Sequence, residues 1–211
     1  MPERNYSFID KVLSQLDTGL QTVFSKPETT RNINFSVNNK ALDHQTKKIS
    51  SSLMRVNHSG EVCAQALYQG QAVFARDEKI KDSLIQASLE ENDHLNWCKT
   101  RLEQLDSHTS ALNPLWYTGS FILGMSASLC GDKWSLGFLA ETEKQVAKHL
   151  EHLVKLPHED QISRSIIQQM KTDETQHAMH AIDQGGEQLP KVICKFMKLI
   201  SKVMTVSSYY I

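Results

Sequence analysis

EENDHL, residues 90–95, sets three acids and a histidine within six residues of an otherwise helix-forming run. Glu91 and His94 stand three apart, so on a helix both project from one face. Such a pair is either a solvated helix face or half of a metal site, and one pair cannot decide between them. TDETQH, residues 172–177, repeats the arrangement with Glu174 and His177. Among nine histidines, only His94 and His177 have an acid three residues before them. With 24 acids in the chain, the pairs alone carry little weight, and their placement carries more.

Glu61 lies 30 residues before Glu91, and Glu143 lies 31 before Glu174. The chain therefore reads E…ExxH twice, offset by 82 or 83 residues. In an antiparallel helical hairpin, residues equidistant from the turn sit at equal height. The midpoint of the first interval is Arg76, within the polar stretch ARDEK. The midpoint of the second falls at Pro157–His158 within LPHED, where proline breaks the helix. Each glutamate then lies roughly 22 Å from its turn, and four helices can bring six side chains to one level. Four carboxylates and two imidazoles suit two iron or manganese ions, and one Glu on each of two helices with Glu-x-x-His on the other two is the donor pattern of ferritin-like bundles.

The rest of the chain agrees with an all-α protein. Glycine and proline are few, at 9 and 5 of 211 residues, and alternating β-branched runs are missing. Helical patterns are expected at 6–24, 41–76, 78–106, 113–131, 132–156, 158–186 and 190–204, with a breaker-rich linker over 25–39 and a loop over 107–114. The apolar faces begin with Phe8, Ile9, Val12, Leu13, Leu16, Leu20, Val23 and Phe24 in the first helix. The crossover between hairpins falls to residues 107–131. Its apolar part, residues 113–131, is near spanning length but is interrupted by Gly, Ser, Tyr and Asn; it reads as a buried or membrane-contacting helix, with a transmembrane span the lesser alternative.

A net charge of −1 gives no electrostatic basis for nucleic-acid binding. Cys63, Cys98, Cys130 and Cys194 form no C-x-x-C and read as reduced thiols. The N-terminus does not read as a secretory signal, and the chain contains no flavin or nicotinamide fingerprint. In the last helix Lys191, Lys195, Lys198 and Lys202 form a stripe opposite Val192, Ile193, Phe196, Leu199, Ile200 and Val203. That pattern suits an anionic membrane interface or an ordinary solvated bundle helix equally. Glu90 and Asp173, each four residues before a histidine of the pairs, read as solvated charges or as acceptors for the free N–H of that imidazole. His58, His149, His152 and His180 read as hydrogen-bonding or surface histidines, with His149 also a candidate substrate contact. Cys63 reads as small and buried, and Trp97, Trp116 and Tyr68 as packing residues.

LMRVNHSGEVCAQALYQGQ (53–71), EENDHL (90–95), NPLW (113–116), ETEKQVAKHL (141–150) and DETQHAMHAIDQGG (173–186) together resemble the demethoxyubiquinone hydroxylase family, the di-iron monooxygenases of late ubiquinone synthesis. The likeness runs over residues 50–211 and is most specific in RVNHSGE. It implies a ferritin-like four-helix bundle of two antiparallel hairpins with a crossover helix, plus N- and C-terminal helices. Residues 1–50 would form an N-terminal helix and linker, and 51–211 the di-iron domain. It implies that Glu61, Glu91, His94, Glu143, Glu174 and His177 hold two iron ions, with Glu91 and Glu174 bridging them and His94 and His177 as terminal ligands. No catalytic residue beyond these ligands is assigned. The implied reaction uses O2 to hydroxylate a polyprenylated methoxy-methyl-benzoquinol ring. Peripheral contact at the cytoplasmic face of the cell membrane is implied too, with a homo-oligomer or ubiquinone-synthesis proteins as possible partners. The competing reading is a ferritin-like iron-handling protein without organic substrate.

Overall fold

A computed structural model describes residues 8–29, 31, 41–151 and 155–211. Seven helices are described: α1 (Phe8–Phe24), α2 (His44–Phe74), α3 (Glu78–Gln104), α4 (Asn113–Leu129), α5 (Asp132–Leu150), α6 (Gln161–Asp183) and α7 (Lys191–Tyr210). The described residues contain no strand, and the all-α ferritin-like expectation holds. α2 pairs with α3 and α5 with α6, α3 faces α6 and α2 faces α5 across the bundle, and α4 crosses over on α2.

The turns fall where the midpoints place them, and each has a local cause. Ala75 leaves the helical region (φ −57, ψ 131), and Asp77 caps α3 by accepting from the Lys79 N–H at 2.8 Å. Asp132 ties this turn to the start of α5, taking the Arg76 and Asp77 N–H groups at 3.0 Å each. Asp160 caps α6 through the Ser163 N–H at 3.0 Å, so α6 begins at Gln161 rather than at 158. The same carboxylate pairs with Arg101 of α3 at 2.6 Å, both groups being buried. Gly185, at φ +97, ends α6 in a conformation that favours glycine. The last helix outruns its expected end at 204 and continues to Tyr210.

α4 lies so close to α2 that glycine is required on both. A Cβ on Gly70 would stand 2.2 Å from the Phe121 carbonyl oxygen, and one on Gly124 2.4 Å from that of Leu67. Two apolar clusters fill the bundle on either side of the paired acids. One gathers Met54, Trp97, Leu102, Ile166 and Met170. The other gathers Tyr68, Leu84, Leu139 and Ala140. Glu61, between Met54 and Tyr68 on α2, therefore sits at the polar level that the two clusters enclose.

The first helix departs from a core helix. Phe8, Ile9 and Val12 have side chains outside the described residues, and Leu13, Leu16, Leu20 and Phe24 are exposed. Among the described side chains of this face only Val23 is buried. None of the helices among the described residues is long and apolar enough to cross a membrane.

Candidate metal centre

Periodicity delivers the six acids and imidazoles to the bundle interior. Glu61 and Glu91 come from the first hairpin and Glu143 and Glu174 from the second, each no more than 2 % exposed. His94 is fully buried, and the His177 side chain is 14 % exposed. One ligand-capable atom from each of Glu61, Glu91, His94 and Glu174 lies within 4.8 Å of all the others. His177 joins them through Glu91 and Glu174, and Glu143 faces Glu174 and the Tyr68 hydroxyl.

The contacts have a two-fold logic. Glu91 presents Oε2 to His94 Nδ1 at 2.8 Å and Oε1 to His177 Nδ1 at 3.1 Å. Glu174 presents Oε1 to His94 Nδ1 at 3.1 Å and Oε2 to His177 Nδ1 at 3.4 Å. Each of these carboxylates thus spans both halves, while Glu61 lies 3.5 Å from His94 Nδ1. Both imidazoles turn Nδ1 inward and Nε2 outward.

Many of the inward atoms have no hydrogen bond. Both oxygens of Glu143, both of Glu174, Glu61 Oε2, Glu91 Oε1 and His177 Nδ1 are buried without one. Glu61, Glu91 and Glu174 share the single proton that each inward Nδ1 can offer, so most of these oxygens lack a donor, and a buried polar atom left without a partner is costly. With neutral imidazoles, four carboxylates carry the charge that two divalent cations balance. The donor set and its orphaned atoms fit a two-metal centre.

Electrostatics describe the same crowding. Burial, the largest influence, drives the Glu61 and Glu143 carboxyls well above the usual range, and the neighbouring carboxylates push further. Burial opposes ionisation of Glu91 and Glu174 as well, but contacts with His94 and His177 outweigh it and hold both below the usual range. Burial likewise disfavours charge on the imidazoles, yet their acidic partners raise His94 well above its usual value and push His177 up to about 12.

The two flanking acids are exchanged relative to the in-helix expectation. His94 Nε2 meets Asp173 Oδ2 at 3.0 Å, and His177 Nε2 meets Glu90 Oε2 at 3.2 Å. Each imidazole is oriented by an acid of the opposite hairpin, because Nε2 points outward across the α3–α6 interface. Glu90 is half exposed and Asp173 nearly buried, so neither is simply a solvated charge.

Other expectations divide. Tyr68, read as packing, is buried with its ring edge-on to His177 (centroids 6.4 Å apart) and its hydroxyl toward Glu143. Burial and the nearby carboxylates raise its pKa well above the usual phenol value. Its place seven residues after Glu61, two turns along the same face, was the available signal. His58 is a buried hydrogen-bonding histidine: Nδ1 pairs with Asn113 Nδ2 at 3.2 Å, while Asn113 Oδ1 accepts from Ser59 at 2.8 Å. This links RVNHSGE to NPLW. His149 and His180 are exposed, and His152 lies outside the described residues. Cys63 is half-buried rather than buried, and burial pushes its thiol up to about 11. All four cysteines are free.

A cavity of about 510 Å³ opens between α2, α4, α5 and α7. Cys63 and Ala64, next to Glu61 on α2, and Thr142, next to Glu143 on α5, line it with Trp116, Phe138 and Phe196. Trp116 is therefore a wall residue as well as a packing one.

A four-helix bundle with a buried carboxylate–histidine cluster at mid-height defines a ferritin-like protein with a centre able to hold metal. The chain belongs to the family described as ubiquinone biosynthesis protein COQ7, which it matches over residues 48–208. It is 52 % identical over 206 residues to the 3-demethoxyubiquinol 3-hydroxylase of Polynucleobacter necessarius, covering 96 % of this chain and 99 % of that one. It is 48 % identical over 214 residues to the protein of the same description from Nitrosococcus oceani, covering 100 % of both. With that of Legionella pneumophila (strain Paris) it shares 49 % over 212 residues, 99 % of this chain and 100 % of the other.

Proposed function

We propose that the protein is an O2-dependent di-iron monooxygenase that hydroxylates the ring of a demethoxyubiquinol. The convergence of unpartnered carboxylate oxygens beside an apolar cavity carries this reading. Family membership and the full-length likeness to proteins described as 3-demethoxyubiquinol 3-hydroxylases support it.

In this reading Glu61, Glu91, His94 and Glu174 would hold one iron, and Glu143, Glu174, His177 and Glu91 the other, Glu91 and Glu174 belonging to both sets. Iron bound there supplies the redox chemistry that lets ground-state O2 attack a closed-shell ring. In the overall balance one oxygen atom replaces a ring hydrogen as hydroxyl and the other leaves as water, consuming two electrons and two protons from an external reductant or from the quinol. The chain's own residues position and exclude. Asp173 and Glu90 fix the two imidazoles with Nδ1 inward. Tyr68 keeps its phenolic proton beside Glu143. The apolar cavity takes the quinol ring next to Glu61 and Glu143 and keeps bulk water away.

The prenyl tail then leads to a lipid surface. α4 lies between α1 and α7, and all three expose large apolar side chains: Leu16 and Leu20, Leu115 and Ile122, Phe196 and Leu199. With the α7 lysines this supports peripheral contact at the cytoplasmic face of the cell membrane. The bundle from α2 onward carries the catalytic unit, and the described residues before it add α1 and the start of its linker.

The test is to mix anaerobic Fe(II)-loaded protein with O2, with and without a short-chain demethoxyquinol, and to follow the product by mass spectrometry. The expected result is about two irons per chain and a ring that gains one oxygen atom. Iron uptake with an unchanged ring would leave an iron-handling protein, and absence of iron binding would remove the metal centre itself.

A further inference from the structure

The segment after α1 is bound along α3 by a succession of contacts. Lys99 donates to the Ser25 carbonyl at 3.0 Å, Lys26 pairs with Glu103 at 2.6 Å, and Asn96 donates to the Pro27 carbonyl at 2.6 Å. The Thr29 hydroxyl donates to Asp93 Oδ1 at 2.8 Å. Arg31 is the last of the described residues in this stretch. Its Nε meets Asp93 Oδ2 at 2.8 Å, its guanidinium lies 5.0 Å from the Trp97 ring centre, and its carbonyl accepts from Trp97 Nε1 at 3.0 Å.

The remaining arm of the guanidinium leaves α3 altogether. Arg31 Nη2 lies 3.0 Å from Asp173 Oδ2 on α6, the same oxygen that His94 Nε2 approaches at 3.0 Å. Gln169 donates to the other oxygen, Oδ1, at 2.9 Å. The carboxylate that orients His94 is thus itself fixed by two further donors. The other half of the centre is built differently: Glu90, which orients His177, is half exposed and takes Gln86 as a donor at 3.3 Å.

We propose that Arg31 is a positioning residue of the metal centre, holding Asp173 against His94 Nε2 so that Nδ1 stays aimed at the site between Glu61, Glu91 and Glu174. The linker after α1 is then a working part of the centre, and the two metal positions are inequivalent, the His94 side being the rigid one. A guanidinium suits this task because its planar fork reaches Asp93 and Asp173 at once, which a lysine cannot do.

The inference rests on the metal-centre reading, and the experiment separates the two. The full-length apoprotein is titrated with Co(II) and followed by visible absorption, for wild type, Arg31→Ala, Arg31→Lys, Asp173→Asn, the double variant Arg31→Ala/Asp173→Asn, and Lys26→Ala. Losing an acid that orients a ligand histidine lowers metal affinity by about 10–100-fold. Asp173→Asn is expected to weaken one of two binding phases by that amount, and Arg31→Ala to weaken the same phase by about 3–10-fold. Arg31→Lys should fall between Arg31→Ala and wild type, the double variant should match Asp173→Asn alone, and Lys26→Ala should match wild type. Arg31→Ala within twofold of wild type would overturn the inference. So would losses that multiply in the double variant, or an equal loss in Lys26→Ala, which would reduce Arg31 to one staple among several. Should Arg31→Ala fail to fold, Arg31→Gln is read by the same criteria. A wild type that binds no Co(II) sinks the metal centre, whereas a wild type that binds with an indifferent Arg31 sinks only this role.

Discussion

His58 offers a stability prediction whose size follows from the structure. It is 2 % exposed, and Asn113 fixes its tautomer. Because Asn113 Oδ1 accepts from Ser59, its amide nitrogen must donate to His58 Nδ1, and that nitrogen must be unprotonated. Burial, aided by the charge of Lys99, lowers the His58 pKa from 6.5 to about 3. The unfolded chain therefore binds a proton at a pH where the folded chain refuses it. Stability from this group is complete above pH 6.5, falls as pH drops below 6.5, and levels off near pH 3. Linkage puts the loss at about 2 kcal/mol between pH 7 and pH 5, and at about 4 kcal/mol by pH 3. The assay is urea unfolding at pH 7, 6 and 5 for wild type and His58→Gln, both as apoprotein, comparing the change in stability with pH. Subtraction removes the titration of the buried carboxylates and of the other histidines, which both proteins share. Wild type should lose about 2 kcal/mol more than His58→Gln over that interval. Parallel pH profiles would mean that His58 titrates alike folded and unfolded, and the argument from its burial would be wrong.

Three further outcomes are expected. Gly124→Ala places a methyl 2.4 Å from the Leu67 carbonyl oxygen, so α4 must move off α2; overpacking of this kind costs about 1–3 kcal/mol, a Tm fall of about 2–12 °C on thermal denaturation. Because the site's donors are orphaned without a cation, Co(II) at a hundred times its Kd should stabilise the apoprotein by about 2.7 kcal/mol per site, and Glu143→Ala should lose one of the two increments in the same scan. Replacing Lys195 and Lys198 together with glutamine should weaken binding to anionic vesicles about thirtyfold at low salt, with the difference shrinking as salt is added; equal sedimentation with the vesicles would remove α7 from the lipid contact.

The repeat of E…ExxH placed both hairpins, both turns and the level of the centre, because a straight helix converts sequence distance into height. What it could not convert was direction across the bundle. Asp173 and Glu90 each precede a site histidine by one turn, which suggested a partner on the same helix, yet each serves the opposite hairpin. Nε2 points outward to the neighbouring helix, and helical periodicity carries no record of which helix that is. Tyr68 was hidden for another reason: an aromatic on an apolar face looks the same whether it packs or faces a carboxylate. Arg31 was hidden because it lies in a linker, where no period relates sequence to position. The exposed face of α1 shows the converse, since an apolar stripe states that a face will be covered or bound to something without stating by what.

The exchange of acids also explains how two independent hairpins can form one centre. Each hairpin brings one single Glu and one Glu-x-x-His, and neither encloses a site alone. If each imidazole were oriented by its own helix, the halves would be set separately, and a small slide of α6 past α3 would misalign Glu91 and Glu174 while leaving both imidazoles satisfied. With Asp173 holding His94 and Glu90 holding His177, the same slide breaks both outer contacts together. Arg101 with Asp160 repeats the lock between α3 and α6 about two turns from His94. The register that aligns the inner carboxylates is thus the one register in which the outer acids also find their partners. A sequence in which Asp173 and Glu90 were both neutral could therefore keep the bundle and still lose the geometry of its centre.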